Sequence, residues 1–197
     1  MKKIIEFILF IFFAAAGLRA APGRLETPAN ARLLERSLSL ARAEAGVFEK
    51  TNNNDGGVEK YLAAVGLRKG AKYCAAGQYW AFARAAKELN LPGSSIPIKR
   101  TGSCAEMLRA ALGKSIKSIR EIGRHDLLFW RGARGGHVER VLERLPNGSV
   151  RTIAFNVSGI VAGKRREGVF IKTRDLRSPL ARMRFVCAIG FVPKGEL

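Results

Sequence analysis

Helices first and strands afterwards is the pattern of an α+β domain, and three observations predict it. Apolar residues recur at helical spacing from Ala29 to about Gly113. From Leu127 onward the pattern changes to short runs rich in Val, Ile and aromatic residues, the signature of strands. Pro146-Asn147-Gly148 separates two of those runs as a hairpin turn, so the sheet is expected to be mostly antiparallel. The 197 residues suffice for one domain with a sizeable core and are short for two.

Each element has its own signal. Thr27-Pro28 predicts a helix start, with Thr27 as N-cap, and Leu33, Leu34, Leu38 and Ala41 give the helix an apolar face before Gly46 stops it. Residues 51–57 form a polar loop, where Asp55 can cap a second helix carrying Val58, Tyr61, Leu62 and Val65 and ending at Gly66. A third helix is expected from Cys74 to about Leu89, closed by Asn90, Pro92 and Gly93. Ser103 to Glu106 spells a capping box, so a fourth begins near Cys104 and stops at Gly113. Strands are predicted at 127–130, 137–145, 149–156, 169–172 and 185–192.

The N-terminus reads as something other than domain. Lys2 and Lys3 precede the apolar run Ile4 to Gly17, and small residues follow up to Ala21. This pattern predicts a secretory signal peptide over 1–21 and an exported protein, periplasmic or secreted. The run is shorter than the roughly 20 residues of a comfortable membrane span, so no stable span is expected after cleavage; the alternative is an uncleaved N-terminal anchor. Residues 22–47 then form a linker and helix, and 48–197 the main domain.

The formal charge is +19, and removing Lys2, Lys3, Arg19 and Glu6 with the leader would leave +17. A surface this basic seeks a polyanion. The anionic cell envelope is one such partner. Nucleic acid is another, but the basic residues are scattered, no reading motif is visible, and export argues against a genomic target.

Chemistry-bearing residues are few. Of three cysteines, Cys74 falls at the start of the third helix, where backbone N–H groups and the helix dipole favour a thiolate. Cys104 and Cys187 are either a disulfide that leaves Cys74 free or two buried thiols, the second reading being preferred. No CxxC pair or Cys/His cluster suggests zinc, and no cofactor is expected. Of two histidines, His137 begins a strand after Gly135-Gly136, while His125 reads as a loop residue. If Asn147-Gly148 is a two-residue turn, paired positions sum to 295 and Asn156 is a diagonal neighbour of His137, able to orient its ring. A cysteine followed by a histidine is the chain order of papain-like hydrolases.

These residues resemble the CHAP family of cysteine, histidine-dependent amidohydrolases and peptidases, on the NlpC-type branch of papain-like folds. The resemblance rests on Cys74-Ala75-Ala76 after an aromatic, Asp126-Leu127-Leu128-Phe129, Gly136-His137-Val138, Asn156 at a strand end, and the upstream stretch Asn54 to Leu62. It covers about Phe48 to Phe191. It implies a papain-like α+β fold, with N-terminal helices packed on the sheet and the nucleophile at a helix N-terminus. It implies peptidoglycan as substrate, Cys74 as nucleophile, His137 as base and then acid, and Asn156 as the orienting residue. It also implies that the Cys74 N–H serves an oxyanion hole and that Tyr73 lines the cleft. Three positions depart from the family pattern: Gly77 stands where an aromatic is common, His125 where a Gly precedes the Asp, and Ala154 where a Glu often precedes the Asn.

The expected function is therefore an exported peptidoglycan hydrolase, amidase or endopeptidase, working through a Cys-His-Asn triad and a thioester acyl-enzyme. Two other classes compete. One is a non-catalytic basic module binding envelope polyanions or nucleic acid; the other is a papain-like protease acting on proteins.

Overall fold

The computed structural model describes residues 27–51, 57–111, 116–133 and 135–194. The proposed leader, Asp55 and Gly113 lie outside them. Within them the chain is α+β: helices lie on one face of an antiparallel sheet.

Thr27 does not cap the first helix. Residues Thr27–Asn30 are extended as β1 and pair in parallel with β8 (Phe191–Lys194), which joins the two ends of the described chain. The first helix, α1 (Ala31–Ala43), begins at Asn30, whose Oδ1 accepts from the Leu33 N–H at 3.0 Å. A polar side chain next to the first helical residue satisfies an otherwise orphaned donor, and here it outcompetes the Thr-Pro signal. Leu33, Leu34, Leu38 and Ala41 are buried as the spacing predicts. They pack into the same clusters as the next two helices and the sheet, so α1 belongs to the main domain rather than to a separate 22–47 segment.

Helices α2 (Glu59–Ala64), α3 (Cys74–Glu88) and α4 (Cys104–Ala111) fall where the sequence places them. Half of the capping box before α4 forms. Ser103 Oγ accepts from the Glu106 N–H at 3.3 Å, while the Glu106 carboxylate turns to the Thr101 hydroxyl at 2.8 Å.

The sheet is built from β2 (Ile116–Lys117), β3 (Leu127–Gly132), β4 (Gly135–Arg144), β5 (Val150–Val161), β6 (Lys164–Arg174) and β7 (Arg184–Ile189), in the order β2-β7-β3-β4-β5-β6. Both faces are covered, which explains the unbroken apolar run of β3. Leu127 and Phe129 join the core under the helices; Leu128 and Trp130 join a second cluster with Val141, Val150 and Leu176. β5 and β6 run well past Asn156. Ala162 and Gly163, both at positive φ (49° and 75°), make a two-residue hairpin turn that the sequence reading passed over.

The β4–β5 register differs from the expected one. The turn carries one more residue, so Arg144 faces Val150; a bulge between Val141 and Glu143 then shifts the ladder again, and Glu139 faces Ala154. Two one-residue shifts restore the original facing of the side chains.

Candidate active site

Cys74 is the first residue of α3, and its sulfur lies among three kinds of favourable neighbour. The Cys104 sulfur is 3.4 Å away. The His137 ring shares the cleft wall with Cys74, and it and the Ala75 backbone N–H act on the sulfur. The Cys104 thiol, burial notwithstanding, and then the imidazolium hold the Cys74 thiol well below its ordinary pKa. With Cys74 ionised, Cys104 donates its S–H, and its own pKa is pushed up by that bond, by burial and by the adjacent anion.

His137 opens the inner part of β4. Its Nε2 lies 3.1 Å from Glu139 Oε1, which leaves Nδ1 for Cys74. Burial disfavours a charged ring, but the bonds to Cys74 and Glu139 and their negative charge outweigh it and raise His137 to about 9. Glu139 is fully buried. Burial alone would raise its pKa; His137 and Arg174 instead lower it to about 2. Arg174 on β6 grips the carboxylate at 2.5 to 3.1 Å, and the Thr152 hydroxyl donates to it at 2.6 Å. His137, Glu139 and Arg174 thus form a hydrogen-bonded chain behind Cys74, with the carboxylate held between two basic side chains.

The His137 ring bonds Glu139, while Asn156 bonds Tyr73 and Glu49. The signal for the first of these was present: His137 and Glu139 are two residues apart on one strand and so share a face. Arg174 and Thr152, by contrast, arrive through strand pairings that no local pattern reveals. Asn156 sits elsewhere in the constellation. Its backbone is left-handed (φ 57°), its Oδ1 accepts from the Tyr73 N–H at 3.3 Å, and its Nδ2 donates to Glu49 at 3.3 Å. It therefore pins the residue just before Cys74 to the sheet, while also lining the cleft.

Tyr73 does not line the cleft. Its side chain is fully buried, its hydroxyl donates to Glu49 at 2.6 Å, and its ring packs beside Tyr61. A residue at the N-cap of a helix packed on a sheet turns inward when its own hydroxyl has a buried partner.

The cleft encloses about 470 Å³ and has Cys74, His137 and Asn156 in its wall, with the cations Lys72 and Arg182 beside them. Cys104 lines an adjoining chamber of about 340 Å³, and the two share Gly132, Ala133, Gly135 and Gly136 of the β3–β4 hairpin. Gly136 allows this closeness, since a Cβ there would stand 3.0 Å from the Trp130 carbonyl oxygen and 3.4 Å from Cys104 Cβ.

All three cysteines are free and buried, which for Cys104 and Cys187 is the preferred sequence reading. His125 makes no part of this site: it lies before β3, bonds Glu35 of α1 at 2.9 Å and meets Arg140 of β4. Among the described residues no group of three or more His, Cys, Asp or Glu is placed to hold a metal ion, and no helix is long and apolar enough to cross a membrane. Comparisons with protein-family models, with curated proteins and with solved structures find no match to this chain.

Proposed function

We propose that the protein is a papain-like cysteine hydrolase of the CHAP type that cleaves amide bonds in the peptide part of peptidoglycan. The observation that carries the reading is the placing of Cys74, at the start of α3, and His137 in the wall of one open cleft, with the ring backed by the buried Glu139 carboxylate.

The chemistry follows from the geometry. Cys74 Sγ attacks the amide carbonyl carbon and forms the C–S bond. The developing oxyanion is met by backbone N–H groups at the start of α3. His137 Nδ1 gives its proton to the amine as the C–N bond breaks, leaving a thioester. Water, deprotonated by the now neutral His137, attacks the thioester; the carboxylate product departs and Cys74 is regenerated. Glu139 holds the ring orientation and stabilises its charged form throughout.

Lys72 and Arg182 at the cleft suit a peptide that carries free carboxylates. The net charge of +19 suits an anionic wall, and the leader proposed over residues 1–21 adds export to the reading.

Purified wall sacculi test it. The reduced protein is expected to release peptide fragments with new amine ends, and Cys74→Ala to release none. Equal release by both proteins refutes the reading. Salt-sensitive binding to sacculi without any release, together with a Cys74 that resists alkylation at neutral pH, would establish the basic binding module in its place. Faster digestion of an unfolded protein than of wall fragments would establish a protease acting on proteins.

A further inference from the structure

Each of two helices presents a cysteine at its first residue, and the two sulfurs meet. Cys74 opens α3 and Cys104 opens α4, with Sγ–Sγ 3.4 Å. They stand in contact but unbonded, and a disulfide needs the gap closed to about 2.0 Å. Each thiol lines its own chamber, and the chambers meet at the β3–β4 hairpin. A hydrolase needs only one of these sulfurs as its nucleophile.

The geometry points to a second use of the pair: Cys74 and Cys104 form a dithiol site that reacts with small linear disulfides and closes into an intramolecular Cys74–Cys104 bond. In the first step the Cys74 thiolate attacks one sulfur of the small disulfide. A mixed disulfide forms on Cys74, and one small thiolate leaves. In the second step Cys104, as thiolate, attacks the Cys74 sulfur; the protein disulfide forms, and the second small thiolate leaves. The protein loses two electrons and two protons, and the small disulfide becomes two thiols.

The neighbours explain the order of events. While Cys74 is an anion, its bond and its charge keep Cys104 protonated. Once Cys74 carries the mixed disulfide, both influences vanish. Burial still raises Cys104, and the α4 N-terminus and nearby Lys72 act against it. The first attack therefore removes two of the three influences that hold Cys104 protonated.

Resting on the hydrolase reading, the closed form has no nucleophile and is inactive until a reductant reopens it. An oxidising compartment, as the proposed export implies, is where such a bond persists.

Oxidised glutathione is the probe. The full-length protein is incubated with it at neutral pH, acid-quenched and mapped by mass spectrometry. A Cys74–Cys104 cross-linked peptide is expected, with loss of two of the three thiols, Cys187 free and no glutathione retained. In Cys104→Ser the glutathione adduct on Cys74 is expected to persist. A wild-type protein that keeps the adduct, or that bridges through Cys187, overturns the inference; the wild-type map alone decides this if the variant does not fold. Hydrolysis is scored separately. A dithiol that closes in a protein unable to cut the wall refutes only the hydrolase reading. A working hydrolase whose thiols never pair refutes only the dithiol site.

Discussion

His137 on β4 and His125 in the loop before β3 are similarly shielded, 6% and 7% exposed, yet they are driven to opposite charge states. His137 is raised to about 9 and His125 is lowered to about 4. Burial disfavours the charged ring at both. The difference lies in what each ring faces. His137 has a thiolate on one side and Glu139, itself locked by Arg174, on the other. For His125, burial is joined by the cationic Arg140, whose guanidinium lies 3.4 Å from Nδ1, and the exposed Glu35 offsets only part of this. One ring is held toward its charged form at a cleft; the other is held toward its neutral form and ties the loop before β3 to α1. Neighbouring charge, not depth, decides which histidine can do acid–base chemistry.

Removing the anion should collapse the contrast most completely. Cys74→Ala is expected to lower wall hydrolysis by a factor on the order of 10⁴ or more, and to drop the His137 pKa below about 9, read from release assays and imidazole NMR. Glu139→Gln is next. It leaves Arg174 facing a neutral group and weakens the hold on the ring, so kcat/KM should fall by a factor on the order of 10²–10⁴. The same change should cost about 3 kcal/mol in chemical denaturation, because a partner of a buried ion pair is lost.

Protonation acts on the same pair reversibly. The stabilisation His137 contributes is fully present below its ordinary pKa of 6.5 and is lost as pH rises through about 9. That of Glu139 is present above 4.5 and is lost as pH falls through about 2. Activity should therefore fall on an alkaline limb near 9 in a kcat/KM profile.

Asn156→Ala should do less. It places Ala in left-handed backbone, costing about 1 kcal/mol, and releases the Tyr73 N–H; kcat/KM should drop roughly 10-fold, through positioning of α3 rather than through the base. The smallest effect belongs to the other histidine. His125 has φ 75°, a conformation that suits glycine. His125→Gly should leave activity unchanged and move stability by less than about 1 kcal/mol, as relief of the backbone offsets the lost bonds.

That last position shows how much of the site was legible in the chain. Helix starts at Cys74 and Cys104 were readable because caps and glycines are local signals. The partnership of His137 with Cys74 was readable only as chain order. The bond from His137 to Glu139 was passed over because the search went across the hairpin to Asn156 rather than two residues along the same strand.

Each of the three departures from the CHAP pattern has a structural counterpart in this fold. Ala154, where the pattern has Glu, lies directly opposite Glu139 on the neighbouring strand, so a carboxylate is delivered from across the ladder. Gly77, where the pattern has an aromatic, leaves room for the Phe155 ring, whose Cδ1 would stand 2.3 Å from a Cβ placed there. His125 takes the left-handed position with Glu35 and Arg140 holding its ring. Each depends on a contact between distant strands or helices, which no sequence window contains.

The ionisation of the two rings tests the account most directly. Titrating the imidazoles by NMR in the reduced protein should show one ring changing charge near 9 and moving in Cys74→Ala, and the other staying neutral down to about 4. Two rings that both titrate near 6.5, indifferent to Cys74, would mean that no thiolate–imidazolium pair exists and would contradict the account.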